Sequence, residues 1–234
     1  MAMPDTPRFG TPSRGETAID EALVARLAEI GRMEPTVDLT KRDSYIATSG
    51  WHVDAREVAL PPEAPGPPGE NGSFSRACAI LTDYSFPPPR VIRGRFDPAA
   101  PLDGRAMLLT ATFLWMRFEL PVRVSRVIDE ARDGDTGAER VWGYSYQTLA
   151  THLENGEITF EIIKTIATGA VRFRIHSFSQ TGHIQNPVYR LGFRIVGRRL
   201  QARFAVGSLR NMQRLVTLAL SLRARAASDG AHAP

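Results

Sequence analysis

Val141-Trp-Gly-Tyr-Ser-Tyr-Gln-Thr-Leu-Ala150, Glu157-Ile-Thr-Phe-Glu-Ile-Ile-Lys-Thr-Ile-Ala167 and Val171-Arg-Phe-Arg-Ile-His-Ser-Phe-Ser179 follow one another with short gaps between them. In the third run Val171, Phe173 and Ile175 alternate with Arg172, Arg174 and His176, the period-two pattern of a half-buried strand. Asn155-Gly156 and Thr168-Gly169 sit between neighbouring runs, where hairpin turns are expected. Consecutive hairpins make an antiparallel sheet, and the apolar face of such a sheet must be covered. The cover lies just downstream. Asn186 can cap a helix and Pro187 fits its first turn. Val188, Leu191, Ile195, Ala202, Ala205, Leu209, Met212, Val216 and Ala219 then recur every three or four residues. A helix of roughly 35 residues would be about 50 Å long.

Upstream, VIRGRF (91–96), RAMLLTATFLW (105–115) and FELPVRVSRVIDE (118–130) have strand character, and 51–60 reads as a first strand. FSRACAILTDYSF (74–86) has a helical pattern that stops at Pro87-Pro88-Pro89. PPEAPGPPGENGS (61–73) can be neither helix nor interior strand and is expected to be a long loop. Ile19, Leu23, Leu27 and Ile30 predict a further helix with Gly31 as its stop. These elements predict an α+β fold of START-like helix-grip type, a curved antiparallel sheet of six to seven strands gripping a long C-terminal helix. A closed barrel with an appended helix is the alternative. Both place a ligand cavity between sheet and helix. The expected organisation is a flexible arm over 1–17, a helical extension over 18–49, one START-like ligand-binding domain over 50–226 and a disordered tail over 227–234.

Composition narrows the function classes. The 234 residues carry a net charge of +4, and only Lys41 and Lys164 among the 29 basic residues are lysines. Arginine-rich coding explains the basic balance better than a nucleic-acid partner does, so none is expected. The competing reading, a basic stripe on the terminal helix, would show steep salt dependence of binding. The single cysteine, Cys78, lies in an apolar run and excludes a disulfide framework or a multi-thiolate metal site. No signal-peptide order and no apolar run of about 18 residues occur, so a cytoplasmic protein without a membrane span is expected. A homodimer is left open.

The stretch Trp142 to Glu157 resembles the Y-x-T-L-x-x-H-x-E-x-G-E signature of a bacterial and plant family of unassigned function. Asp97-Pro98, Pro101-Leu-Asp-Gly-Arg105, Val171 to Ser179 and Asn186 to Arg194 are similar to it as well, so the resemblance spans roughly 50 to 216. One branch of that family resembles the spiroacetal cyclases of polyketide pathways. The resemblance implies a cofactor-independent cyclase that closes a dihydroxyketone into a spiroacetal, with an apolar, oxygenated, polyketide-like substrate. A START-like binder or carrier of an apolar metabolite or lipid, without chemistry, is the alternative.

Spiroacetal closure needs a proton donor for a hemiketal oxygen, stabilisation of an oxocarbenium ion, and a dry site. His152, Glu154 and Glu157 lie within six positions beside an expected turn, which suits acid/base work. A solvated turn, with Glu154 capping Asn155-Gly156, is the competing reading. Their ligand types would suit a metal, but no further ligand accompanies them, and neither metal nor cofactor is expected. Glu161 shares a strand face with Glu157 and Thr159. If that face lines the cavity, desolvation makes Glu161 the general acid; otherwise it is an exposed strand residue. His176, mid-strand, and Asp83, which opposes a helix dipole, complete the catalytic candidates. Tyr84, Trp142, Tyr144, Tyr146 and Thr148 are the expected substrate-binding residues, since aromatic walls with phenolic tips suit an oxygenated apolar ligand.

Overall fold

The structure, a computed structural model, describes residues 21–113, 116–152, 154–182 and 187–230, without the side chains of 113, 116, 181, 187–200 and 226–230. The expected arm over 1–17, the cap at Asn186 and the last residues of the tail therefore lie outside the described residues. Seven strands form one curved antiparallel sheet: β1 (His52–Leu60), β2 (Ile92–Arg95), β3 (Ala106–Phe113), β4 (Met116–Gly134), β5 (Gly137–Thr148), β6 (Glu154–Thr165) and β7 (Val171–Thr181). Their order is β1-β7-β6-β5-β4-β3-β2, so every neighbour except β1 with β7 is a hairpin. Among the described residues three α-helices accompany them, α1 (Glu21–Gly31), α2 (Ser73–Thr82) and α3 (Pro187–Gly230), with two short 3-10 helices at Leu39–Ser44 and Ala47–Ser49. This is the expected helix-grip arrangement.

Strand parity decides which side chains face the helices. Tyr144 and Tyr146 of β5, Phe160 and Ile162 of β6, and Phe173 and Ile175 of β7 share one core with Leu209, Met212 and Val216 of α3. Phe74, Ala77 and Leu81 of α2 close the same core. We call this side of the sheet inner. On the outer side, Leu23, Leu27 and Ile30 of α1 pack with Leu108 and Leu149. The Arg123 guanidinium donates to Gly31 O at 2.9 Å, placing a positive charge at the C-terminal end of α1.

Several elements depart from the sequence-based expectation. Helix α2 ends at Thr82, not at the prolines, because Tyr84 takes φ 50°. Its N–H donates to Leu81 O and that of Ser85 to Ile80 O, a Schellman ending with tyrosine in the place usually held by glycine. Asn155-Gly156 is not a turn but part of β6. Gly156 pairs with Ser179, and a Cβ there would lie 2.2 Å from Phe178 O, which accounts for the glycine. The β5–β6 connection is made instead at Ala150 to His152, with Thr151 at φ 75°. Strands β4 and β5 continue towards the tip of their hairpin until Gly134 pairs with Gly137. Helix α3 is 44 residues long and reaches into the segment expected as tail. Ala202, placed on its apolar stripe by spacing, is exposed.

The Pro/Gly-rich loop over 61–72 is held by a buried charge pair. The Lys164 ammonium, 1% exposed, donates to Glu63 Oε2 at 2.7 Å and to Pro67 O at 3.0 Å. The Glu63 carboxylate also accepts from the N–H groups of Gly69 and Phe74, so it fixes the loop and the start of α2 together. Gly169, at φ 73°, lets the β6–β7 turn approach this loop, since a Cβ there would sit 2.0 Å from Glu63 O.

Candidate functional site

The inner face is apolar at its centre and polar at the end where β6 begins. Phe86, Phe160 and Phe173 stand edge-on or stacked to one another, and Phe204 of α3 meets Phe160 edge-on at 6.5 Å. Glu154 lies on the parity of Ile158 and Phe160 and so faces α3. Its carboxylate accepts from Gln201 Nε2, which also lies 3.4 Å from the Ser179 hydroxyl. Burial pushes the Glu154 carboxyl up to about 7, against the Gln201 hydrogen bond, which lowers it. His152 stands beside it in the connection. Its Nδ1 accepts the Glu154 N–H at 3.0 Å, and burial pushes the imidazole down to about 4, so it is neutral.

A pair of phenols faces the same interior. The Tyr84 and Tyr146 hydroxyls lie 3.3 Å apart. Burial holds both above the ordinary tyrosine value, and the Glu154 charge adds to the rise at Tyr146, so both remain protonated. A non-glycine residue at positive φ costs about 1–2 kcal/mol, and Tyr84 carries that strain while buried. Gly94 of β2 makes room for it: a Cβ there would lie 2.6 Å from the Tyr84 ring. Tyr144, also on this face, donates to Leu81 O at 3.2 Å and ties the sheet to α2. Trp142 is partly buried against the same core.

Glu157, Glu161 and His176 are on the other side. The inner parity of β6 belongs to Ile158, Phe160 and Ile162, so Glu161 does not line the interior; nor is it exposed. Arg132 Nη1 holds its Oε1 at 3.0 Å and Arg174 Nη1 lies 3.7 Å from Oε2. Glu157 Oε1 accepts from Arg42 Nη2 and from the Ser125 hydroxyl, each at 2.6 Å; Ser125 sits at a β-bulge in β4. Burial raises the Glu157 carboxyl, opposed by Ser125, Arg42 and Arg126. Burial also lowers His176, opposed by Glu161. These groups form an outer network of arginines and carboxylates.

The sequence cluster of His152, Glu154 and Glu157 is thus divided between the two faces. Thr148 is engaged structurally: its hydroxyl accepts the Gly156 N–H at 2.9 Å and contacts the Thr36 hydroxyl. Asp83 caps α2, with its carboxyl raised by burial against the pull of Arg105. Buried Cys78 has its thiol pushed up by burial and is inert. Sequence reasoning did not single out Gln201, Ser179 or Gly94, which have no motif chemistry and acquire meaning only from what they touch. Among the described residues no three His, Cys, Asp or Glu side chains converge as a metal ion would require, and no helix is long and apolar enough to cross a membrane.

The structure is similar to that of Ara h 8.0201, at 12% identity and TM-score 0.43 over 72% of this chain and 99% of that one. It is similar also to a norcoclaurine synthase point mutant of Thalictrum flavum bound to a transition-state analogue, at 10% identity and TM-score 0.43 over 71% and 94%. The di-domain ARO/CYC StfQ of the steffimycin biosynthetic pathway matches at 11% identity and TM-score 0.46, over 78% of this chain and 55% of that one. No curated protein matches the sequence. Residues 35–211, from the segment before β1 to the middle of α3, match one family along their whole length, and the chain belongs to it: the domain of unknown function DUF1990.

Proposed function

We propose that this protein is a cofactor-independent cyclase that closes a polyketide-like dihydroxyketone into a spiroacetal, with Glu154 as the proton donor. One observation carries the reading: a carboxyl on the inner face with its pKa raised to about 7, protonated in a large fraction of molecules at neutral pH. One hydroxyl of the substrate adds to the ketone to give a hemiketal. Glu154 protonates the hemiketal hydroxyl, which leaves as water. The Glu154 carboxylate then faces the oxocarbenium ion, and the edges and faces of Phe160, Tyr146 and Phe204 exclude water around it. The second hydroxyl attacks the cationic carbon and its proton returns to Glu154. The balance is one water lost per spiroacetal formed: the first closure is an addition and releases none, and the second releases the hemiketal hydroxyl as water. Tyr84 and Tyr146, held as protonated phenols, donate to substrate oxygens and select the face of attack. His152 holds the Glu154 backbone and is a positioning residue.

Deleting the gene from a strain that carries it, with mass spectrometry and NMR of what accumulates, tests the assignment. Loss of a spiroacetal with the appearance of an open-chain or epimeric polyketide is the expected result. An unchanged profile overturns the cyclase and leaves the carrier reading, to be pursued by native mass spectrometry for a bound ligand.

A further inference from the structure

The segment Asp97 to Arg105 takes no part in the chemistry above, yet it ends in an unusual group. Arg105 is 7% exposed, and none of its neighbours among the described residues is a carboxylate within 4.0 Å. Its backbone continues the β3–β4 ladder, with Val124 N–H donating to Arg105 O at 2.9 Å. Residues opposite each other in a ladder point the same way, so the side chain lies on the inner side with Val124. The guanidinium is held by a bond from Nη2 to Ala100 O at 2.7 Å and by the Phe96 ring, whose centroid lies 5.0 Å from Cζ. Its Nε is buried and donates to nothing.

A buried guanidinium without a carboxylate is costly, and an orphan N–H on it adds to that cost. Asp83 and Asp97 act on Arg105 from a distance, as does the Tyr144 hydroxyl, and their pull is outweighed by desolvation. The charge is therefore undercompensated by its described neighbours, and one N–H of the guanidinium is left without an acceptor. We propose that Arg105 receives a carboxylate of the ligand, so that the substrate class is an apolar chain ending in an acid. This rests on the reading of the inner face as a ligand site, and it adds the end group that orients the chain.

Octanoate and its methyl ester, titrated calorimetrically against the whole protein and R105M, test it. A charge-assisted hydrogen bond corresponds to a preference for the acid of about tenfold or more, and R105M is expected to abolish that preference while still binding the ester. Equal binding of the two probes by the wild type, or a preference that survives in R105M, overturns the inference and leaves the ligand site standing. Binding of neither probe overturns both. A second measurement needs no variant: octanoate labelled with carbon-13 at its carboxyl, bound to the wild type and titrated by NMR. Its carboxyl is expected to stay ionised to lower pH than free octanoate measured alongside; an unchanged or raised midpoint contradicts the proposal.

Discussion

Glu154 and Glu161 belong to the same strand yet face opposite ways, and their surroundings separate their chemistry. Glu154 has a neutral amide for a partner and little else to hold its charge, so its proton is retained near neutrality. Glu161 is paired with two guanidinium groups on the outer face, away from the interior where a substrate would sit. E161Q is therefore expected to keep turnover within about threefold of wild type while losing thermal stability. General acid catalysis contributes about 10²–10⁴-fold, and a misplaced acid forfeits part of that. H152A, which removes the acceptor of the Glu154 N–H, is expected to lower kcat by about tenfold or more. Steady-state kinetics and thermal melts of the two variants check this; slow turnover in E161Q with full activity in H152A would reverse the assignment.

The strands were legible because burial on a pleated sheet follows parity, and the Val171 to His176 alternation displays it openly. Three things were hidden. Parity alone does not say which face the long helix takes, and here both faces of β5 and β6 are buried, the inner one among apolar side chains and the outer one among arginine–carboxylate pairs and the small apolar cluster of Ile128, Val141 and Ile163. Glu157 and Glu161 consequently read as interior candidates as readily as Glu154 did. The Asn155-Gly156 pair also misled, because glycine serves a close strand approach as well as a turn. Helix α2 ends early at Tyr84 through a conformation that tyrosine rarely adopts, so no propensity foretells it. At the level of elements, the loop over 61–72 depends on Lys164 and Glu63 more than on its prolines. Breaking a buried pair leaves an uncompensated charge and costs about 3–5 kcal/mol. K164M is expected to lose stability on that scale in urea denaturation; a loss under about 1 kcal/mol would mean the loop is held by its backbone contacts alone.

For the whole molecule, the two groups at the polar end of the grip oppose each other in their pH dependence. Glu154 rises from 4.5 unfolded to about 7 folded, so its contribution is present at low pH and is lost as pH climbs through that window. His152 falls from 6.5 to about 4, so its contribution is lost as pH drops through its own window. Each shift corresponds to something on the order of 3 kcal/mol, and between about pH 4.5 and 6.5 they largely cancel. Wild-type stability is expected to be nearly flat there, and E154Q is expected to unmask a rise with pH, measured by denaturation at stepped pH. An E154Q profile parallel to wild type would show that Glu154 titrates normally. The central claim, that a protonated Glu154 closes the second ring, is tested most directly by supplying a synthetic open-chain dihydroxyketone to wild type and E154Q across pH and resolving the spiroacetal epimers. The account predicts one epimer formed faster than in buffer, a rate that falls above about pH 7, and a return to the buffer rate and epimer mixture in E154Q. Wild-type rate and epimer ratio in E154Q, or no acceleration by the wild type, would contradict it.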